Sequence, residues 1–234
     1  MRILVTRPEP DAAKTAARLR AAGHAVLIDS LLVIEPVAFD PPRGEFAALA
    51  ITSASAPRMA GNAAALAGLK SLPLFAVGAH SAAAARAAGF AGAEAAGGDA
   101  QALAGLIARR LPAGARVLYL AGETRARDLA GLTAPAGIEF ETRIVYRARP
   151  AERFADATVS ALRAGEIDAV LHFSPRSAEV FASLARQAGL AEAVAPLRHL
   201  CLSAAVAAPL AAMGGRTEVA IRPDEEAMLA LLGL

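Results

Sequence analysis

Short apolar runs alternate with longer Ala-rich stretches along the whole chain. The runs are rich in Val, Ile and Leu and carry few polar residues, which is typical of strands covered by helices on both faces. The predicted strands are residues 3–6, 49–52, 74–77, 117–120, 170–173, 200–202 and 219–221. The predicted helices are residues 9–22, 55–67, 80–88, 100–111, 124–132, 176–188, 204–213 and 224–232, of which several end at a glycine. This order predicts parallel, doubly wound α/β sheets.

Two segments, 24–37 and 138–149, are about twice the usual strand length and are bounded by proline. We interpret both as strands that cross between two lobes and pair with each other. The predicted fold is then two doubly wound parallel-sheet lobes joined by a two-stranded antiparallel connection, with the second lobe inserted in the first. The predicted lobes are 1–35 with 148–234, and 36–147. The alternative is one large sheet with long edge strands.

Composition and charge narrow the class of protein. The hydrophobic fraction is 56%, largely because of Ala, and no apolar run reaches the ~20 residues of a membrane span. The first strand-like run is too short for a signal peptide. The net charge is +2 and aromatic residues make up 4%, with no Trp, which disfavours nucleic-acid binding. The single cysteine, Cys201, lies in an apolar run, which fits a buried residue in a reducing cytoplasm. We expect a monomer.

The candidate chemistry lies where each predicted strand runs into a helix. These turns contain Thr6-Arg7-Pro8, Thr52-Ser53-Ala54-Ser55, Gly78-Ala79-His80-Ser81, Ala121-Gly122-Glu123, Ser174-Pro175-Arg176-Ser177 and Ser203-Ala204. Any one turn is explained by helix capping, in which Ser or Thr satisfies free N–H groups. Taken together, the turns predict an anion site, because helix N-termini favour negative charge and parallel sheets bind ligands at their carboxyl ends.

Several other kinds of site lack support in the sequence. The chain contains neither a glycine-rich dinucleotide motif nor a phosphate-loop lysine, so a bound nucleotide is disfavoured. The four histidines, His24, His80, His172 and His199, lack the spacing of metal ligands, and we predict no metal. His172 is predicted to lie in a strand core, which leaves His80 as the histidine that could contact a ligand.

Tyr146 is the candidate catalytic residue. It is one of two tyrosines and lies on the second crossing strand, whereas Tyr119 is expected in the core. A phenol stays neutral near pH 7 and can donate a hydrogen bond. A purely structural role on an amphipathic strand is the alternative interpretation.

These motifs, in this order, resemble uroporphyrinogen-III synthase. The resemblance rests on Ile3-Leu4-Val5-Thr6-Arg7-Pro8, Ile51-Thr52-Ser53-Ala54-Ser55-Ala56, Phe75-Ala76-Val77-Gly78, Tyr119-Leu120-Ala121-Gly122-Glu123, Val145-Tyr146-Arg147-Ala148-Arg149-Pro150 and Phe173-Ser174-Pro175-Arg176-Ser177-Ala178. Each motif alone is weak, but the ordered set covers essentially the whole chain. Two turns depart from the family pattern: Ser81 stands where Thr is frequent, and Ser203 and Val206 stand where Gly and Thr are usual.

The resemblance implies an enzyme of haem biosynthesis that cyclises hydroxymethylbilane, a linear tetrapyrrole with eight carboxylates, through a spiro intermediate. It implies loss of water, inversion of ring D and no cofactor. Tyr146 would then hydrogen-bond the departing hydroxyl group. Substrate carboxylates would be held by Arg7, Ser53, Ser55, Gly78, Ser81, Ser174, Arg176, Ser177 and Ser203. A non-catalytic two-lobed sensor of an anionic metabolite shares these features and is the alternative; the altered last turn favours it slightly.

Overall fold

The protein is described by a computed structural model that covers residues 1–124 and 129–234. Residues 125–128, which include Asp128 and part of the predicted helix 124–132, lie outside the described residues. The chain divides into two compact units: Met1–Val33 with Arg149–Leu234, called unit 1, and Ile34–Ala148, called unit 2. The chain therefore leaves unit 1 once and returns to it once.

Unit 1 contains a five-stranded sheet, within the described residues, and every neighbouring pair in it is parallel. Its strands, in spatial order, are β11 (Arg216–Val219), β10 (Arg198–Cys201), β9 (Ala169–His172), β1 (Arg2–Val5) and β2 (Ala25–Ile28). Its helices are α1 (Asp11–Ala21), α6 (Asp156–Arg163), α7 (Pro175–Gln187), α8 (Ala191–Val194), α9 (Ala204–Ala211) and α10 (Glu225–Ala230).

Alternate residues of the central strand β1 build two cores, one on each face of the unit 1 sheet. Leu4 packs in a cluster with Phe181 of α7 and Leu210 of α9. Ile3 and Val5 point to the other face and pack in the opposite cluster, with Leu19 of α1. Helices therefore cover both faces, which confirms the doubly wound prediction for this unit.

The six-stranded sheet lies mostly in unit 2. The first two residues of β3 and the last two residues of β8 belong to unit 1. Its order is β3 (Leu32–Pro36), β8 (Glu139–Pro150), β7 (Arg116–Gly122), β4 (Ala48–Ile51), β5 (Leu74–Ala76) and β6 (Ala93–Ala95), counted over the described chain. Its helices are α2 (Ser55–Ala60), α3 (Ala79–Ala87), α4 (Ala100–Arg110) and α5 (Leu129–Thr133), with 3₁₀ helices at Ala64–Leu69 and Ala134–Ala136. Helices α2 and α3 pack on one face, and α4 and α5 on the other.

The prediction of one long strand over residues 24–37 is wrong. The segment forms two strands that belong to different sheets, β2 and β3, with a break between them. Polar contacts hold the break: Ser30 Oγ donates to the Arg7 carbonyl over 3.0 Å, and Asp29 accepts from the Ala155 N–H over 2.9 Å. Leu31 follows and is fully buried.

The second long segment, in contrast, forms the single strand β8 of twelve residues. It runs parallel to β7, while its other edge pairs with β3. The Val37 N–H donates to the Val145 carbonyl, and the Ala151 N–H donates to the Leu31 carbonyl. Because residue numbers rise along one strand as they fall along the other, β3 and β8 are antiparallel, and the predicted antiparallel connection is confirmed.

Other differences from the predicted elements are local. The strand predicted at 219–221 lies at β11 instead, and Ile221 is 88% exposed. The helix predicted over 55–67 ends at Ala60, and a 3₁₀ helix follows. Helices α6 and α8 and strand β6 were not predicted. The predicted helix ends at Gly23, Gly89 and Gly189 are confirmed, each with a positive φ that favours glycine.

His172 and His199 form a hydrogen-bonded pair in the core of unit 1, where both are fully buried. His199 Nε2 lies 2.9 Å from the Val194 carbonyl, which can only accept, so this nitrogen carries the proton. In the neutral ring, His199 Nδ1 then accepts from His172 Nε2 over 3.1 Å. His172 Nδ1 is left as a buried acceptor without a hydrogen-bond partner in the described chain. Full burial favours the neutral form of both rings, as expected for the core position predicted for His172.

Burial lowers the pKa of His172 well below its ordinary value of 6.5, and the neighbouring His199 lowers it further. Burial also lowers the pKa of His199, against an opposing effect of the Val194 carbonyl. The unfolded chain therefore binds more protons than the native protein below pH 6.5. Stability is complete above that pH and is lost as the pH falls towards the native pKa values.

We expect the free energy of unfolding in urea to fall between pH 7 and pH 5, by up to about 1.4 kcal/mol per pH unit for each histidine. The double variant His172→Leu/His199→Leu should show a much smaller slope, because it lacks both titrating groups. His80→Gln, a change at an exposed position, is the control and should keep the wild-type slope. An equal slope in the double variant and the wild type would contradict this assignment.

Candidate active site

The candidate site residues lie at the carboxyl ends of parallel strands in both units. Because all strands of the unit 1 sheet run the same way, the turns after β1, β9 and β10 emerge at one edge. Contacts tie the turns together there: Thr6 Oγ1 donates to the Leu171 carbonyl over 2.8 Å, and the Leu202 N–H donates to the His172 carbonyl. We call this edge the unit 1 rim.

Ser174 caps helix α7 at the unit 1 rim. Its Oγ accepts from the Ser177 N–H over 3.1 Å and lies 2.8 Å from Ser177 Oγ, which donates to the Ser174 carbonyl. Ser177 is almost fully buried. The two hydroxyl groups therefore satisfy each other and the helix cap, as the capping interpretation of this turn predicts.

Arg176 is the strongest anion-binding candidate at the same helix start. Pro175 has no N–H, and neither the N–H nor the guanidinium of Arg176 has a partner among residues 1–124 and 129–234. The side chain is half-buried. A cation and a free N–H at the positive end of a thirteen-residue helix favour binding of a carboxylate.

Ser203 precedes helix α9, the third helix start at the unit 1 rim. Its hydroxyl makes no capping hydrogen bond, and the N–H groups of Ala204 and Ala205 have no partner in the described part of the chain. Val206 is buried in the core. This turn thus offers a hydroxyl and two N–H donors, while Val206 serves packing.

Arg7 lies at the unit 1 rim but is held by internal partners. Its guanidinium lies 2.9 Å from the Glu225 carboxylate of α10 and 3.3 Å from the Asp11 carboxylate of α1. It also donates to Thr15 Oγ1 over 3.1 Å and stacks on the Phe173 ring at 4.0 Å. Its side chain is 12% exposed. A substrate carboxylate would have to compete with two carboxylates of the protein for this group.

Unit 2 has a corresponding edge after strands β4, β5 and β7, which we call the unit 2 rim. The Val77 N–H donates to the Ile51 carbonyl, and the Gly98 N–H donates to the Val77 carbonyl. At α2, Ser53 Oγ accepts from the Ser55 N–H over 3.1 Å. This bond closes the turn before the helix, whose N-cap is Ala54 and lacks a side-chain cap, and both serines are half-buried.

Helix α3 begins at Gly78, which has an extended backbone. The N–H groups of Ala79 and Ser81 have no partner within the described residues, and the Ser81 side chain is nearly buried. Arg58, which the sequence did not single out, reaches His80 at the same helix start, with 3.5 Å between its guanidinium and His80 Nε2. The nine-residue helix therefore presents N–H donors beside a cation.

Tyr146 lies on β8 in unit 2, beside the end of β7. It is half-buried, and its carbonyl accepts from the Glu123 N–H over 2.9 Å. Its hydroxyl group has no hydrogen-bond partner in the part of the chain that is described. Tyr119, as predicted, is in the core, where its hydroxyl pairs with Thr52 Oγ1 at 2.8 Å. Tyr146 is thus the tyrosine with a free donor.

The described residues show neither a metal-binding cluster nor a membrane-spanning helix. No cluster of three or more His, Cys, Asp and Glu side chains in the described ranges is arranged to hold a metal ion. No described helix combines the length and apolar character needed to cross a bilayer. Burial raises the pKa of Cys201 to about 12, which leaves the thiol protonated and unreactive.

Comparison with known proteins decides the family. The sequence profile described as uroporphyrinogen-III synthase HemD matches residues 13–230. The chain belongs to the uroporphyrinogen-III synthase family. Membership in this family assigns the protein to haem biosynthesis as a cyclising hydro-lyase. A search of curated proteins gave no match.

Solved structures of this family share the fold. Uroporphyrinogen-III synthetase from Helicobacter pylori is 19% identical with a TM-score of 0.67, and the alignment covers 99% of this chain and 98% of that one. A mutant uroporphyrinogen III synthase from Thermus thermophilus is 21% identical with a TM-score of 0.60, over 100% of this chain and 96% of that one. At these identities the likeness concerns the fold.

The contacts of Arg7 give a prediction about the stability of this protein. We expect Arg7→Ala to lower the free energy of unfolding by about 2–3 kcal/mol, because two charge-assisted hydrogen bonds are lost and Glu225 is left poorly solvated. Urea denaturation at pH 7.5 measures the change.

Arg18→Ala is the matched control. Arg18 faces the same Glu225 carboxylate at 3.8 Å but is 50% exposed, so its removal should cost under about 0.5 kcal/mol. Wild-type stability of Arg7→Ala together with a large rise in KM would instead identify Arg7 as a substrate ligand.

Proposed function

We propose that the protein converts hydroxymethylbilane into uroporphyrinogen III, with inversion of ring D and release of one water. The observation that carries the proposal is the family match over residues 13–230. The predicted substrate class explains a feature of both rims, because a tetrapyrrole with eight carboxylates needs many dispersed anion contacts. The free N–H donors of α3, α7 and α9 supply such contacts while the net charge stays at +2.

The proposed binding groups differ in strength. In unit 1, Arg176 and the start of α7 are the strongest, and Ser203 with the start of α9 adds neutral donors. In unit 2, the start of α3 at Gly78 and Ser81 plays the same part. Ser174 and Ser177 contribute through the helix start that they cap, and Ser53 and Ser55 contribute through the turn that their hydrogen bond closes. Arg7 is a proposed ligand as well, but to bind it a substrate carboxylate has to displace the carboxylates of Glu225 and Asp11.

The proposed reaction begins when a pyrrole nitrogen pushes out the terminal hydroxyl group and leaves an electrophilic methylene carbon. The substituted α carbon of ring D attacks this carbon and forms a spiro intermediate. The bond from that ring D carbon to its original bridge then breaks, and the released methylene is attacked by the free α carbon of ring D. The proton lost from this carbon balances the hydroxide that departs, so the net change is loss of water.

The protein's task in this scheme is to hold the bilane in the conformation that brings the spiro bond within reach. Fixed N–H dipoles also stabilise the cationic intermediates through the carboxylates that they orient. Little acid–base chemistry is needed. Tyr146 is the proposed exception: its hydroxyl group has no partner in the described chain, which supports the proposal that it donates a hydrogen bond to the departing hydroxide.

We expect Tyr146→Phe to lower kcat about 10- to 100-fold, because one hydrogen bond to a developing negative charge is lost, and to change KM little. Initial rates of uroporphyrinogen III formation measure the effect. Tyr119→Phe removes the other phenol, whose partner is Thr52, and should keep kcat near the wild-type value. Unchanged kcat in Tyr146→Phe would remove Tyr146 from the mechanism.

The experiment that tests the function is incubation of the protein with hydroxymethylbilane, followed by oxidation and separation of the type I and type III porphyrins. The uncatalysed reaction closes the bilane head to tail and gives type I. We expect type III to predominate at low protein concentration. Type I alone, formed at the spontaneous rate, would contradict the synthase activity and support the sensor alternative.

The remaining proposals concern organisation and location. We propose that the segments 1–35 with 148–234 and 36–147, predicted from the sequence, act as the two domains of the enzyme. A monomer in the cytoplasm, with neither nucleic acid nor membrane as a partner, completes the proposal. The near-neutral charge and the scarcity of aromatic residues support it.

A further inference from the structure

A β-bulge interrupts strand β8 one residue before Tyr146. Ala121 of β7 is opposite Ile144 of β8, but the next residue, Gly122, is opposite Tyr146. Val145 is therefore an extra residue on β8 without a partner on β7. Bulges of this kind change the direction of the side chains that follow, because the alternation of the strand is shifted by one residue.

The bulge moves Tyr146 to the other face of the sheet. In a regular strand Tyr146 would share a face with Phe140 and Ile144, since side chains alternate. Phe140 and Ile144 do pack on one side, in the core that contains α4 and α5. Tyr146 instead packs with Val145 in the core on the opposite side, which contains α2 and α3. The bulge thus puts the phenol on the face of the helices that begin at Ser55 and Ala79.

Gly122 provides the space that the redirected ring occupies. A Cβ atom built on Gly122 would lie 2.6 Å from Tyr146 Cζ, 2.8 Å from its hydroxyl oxygen and 2.9 Å from Cε2. Real Cβ atoms essentially never approach other atoms so closely. The backbone of Gly122 is outside the positive-φ region, so any residue could adopt its conformation. The glycine is required here by the tyrosine ring.

Hydrogen bonds on both sides of β8 hold the backbone at the bulge. The Val37 N–H donates to the Val145 carbonyl over 3.0 Å from the β3 side. The Glu123 N–H donates to the Tyr146 carbonyl over 2.9 Å from the β7 side. Because the backbone is held at both residues, a side chain at position 122 would displace the ring of Tyr146 before it displaced the strand.

We propose that Gly122 and Val145, the extra residue of the bulge, are positioning residues. Together they hold the phenol of Tyr146 where it can donate to the departing hydroxyl group. The proposal rests on the proposed role of Tyr146 in the departure of the hydroxyl group. It extends that role to a residue without a side chain, which touches no substrate and acts only through the ring beside it.

Gly122→Ala tests the proposal kinetically. We expect kcat to fall about 10- to 100-fold with KM changed less than about threefold, because a displacement of roughly 1 Å can cost that much in rate. In a Tyr146→Phe background the same substitution should change kcat less than about threefold, since the hydroxyl group is already absent. Equal losses in the two backgrounds would overturn the proposal, because they would show an effect that does not pass through the phenol.

Gly68→Ala is the matched control. Gly68 lies in the same unit, has no positive φ, and has no atom within 4 Å of a built Cβ. It should keep wild-type kcat and thermal stability. Gly122→Ala should lower the Tm of the wild-type protein but not that of Tyr146→Ala, where the ring that clashes has been removed. A fall in Tm in both backgrounds would contradict the assigned contact.

The position of the ring can be followed apart from activity. The chain has two tyrosines, so protein labelled with 3-fluorotyrosine gives two ¹⁹F resonances, which Tyr119→Phe and Tyr146→Phe assign. Gly122→Ala should move the Tyr146 resonance and leave that of Tyr119 in place. An unmoved Tyr146 resonance would overturn the proposal on geometric grounds.

The two readouts separate the positioning proposal from the proposed function. A moved resonance with unchanged kcat would overturn positioning while the type III product still showed synthase activity. Absence of type III product from the wild-type protein would instead remove the proposed function itself, whatever the resonance did.

Discussion

Parallel strand pairing is the constraint on which the rest of this structure depends. When neighbouring strands run the same way, every strand-to-helix turn emerges at the same edge of the sheet, and the positive ends of the helices gather there. Both sheets meet this condition, with pairs such as β1 with β9 and β4 with β7, except at the antiparallel edge strand β3. The proposed anion-binding capacity is thus a consequence of topology, and the proposed ligand Arg176 adds a positive charge to the field of the helix N-termini.

Much of the fold could be predicted because burial on both sides leaves a clear pattern. β4 is apolar throughout, β1 and β9 are apolar except for Arg2 and His172, and the predicted bounds of all three agree with the structure within a residue or two. The failures occurred where long-range contacts decide the local structure. The polar pair Asp29 and Ser30 breaks the segment 24–37 through bonds to residues distant in sequence. The edge strand β11 is defined by pairing with β10, so its own residues carry little apolar signal.

The sequence predicts which turns carry the candidate site, but it does not predict the hydrogen-bond and ion-pair partners of the side chains in those turns. Turns rich in Ser and Gly mark helix starts, and a helix follows the predicted turns after β1, β4, β5, β9 and β10, whereas residues 125–128 of the helix predicted after β7 lie outside the described residues. What each side chain does there depends on its partners. Asp11 is four residues from Arg7 and could have been read as its partner, whereas Glu225 is 218 residues away and could not. Likewise, no pattern in residues 138–149 reveals the bulge, which exists only relative to β7.

Strand β8 has two structural roles. It holds Tyr146 against β7, and it returns the chain to unit 1 alongside β3. A change of length in this strand would therefore alter both at once. We expect insertions and deletions among homologous chains to avoid β8 and to collect in connections at the amino ends of the strands, such as residues 112–115, where no rim residue lies. The length of β8 therefore sets both the position of Tyr146 and the point at which the chain returns to unit 1. Changes of length are expected only in segments that set neither.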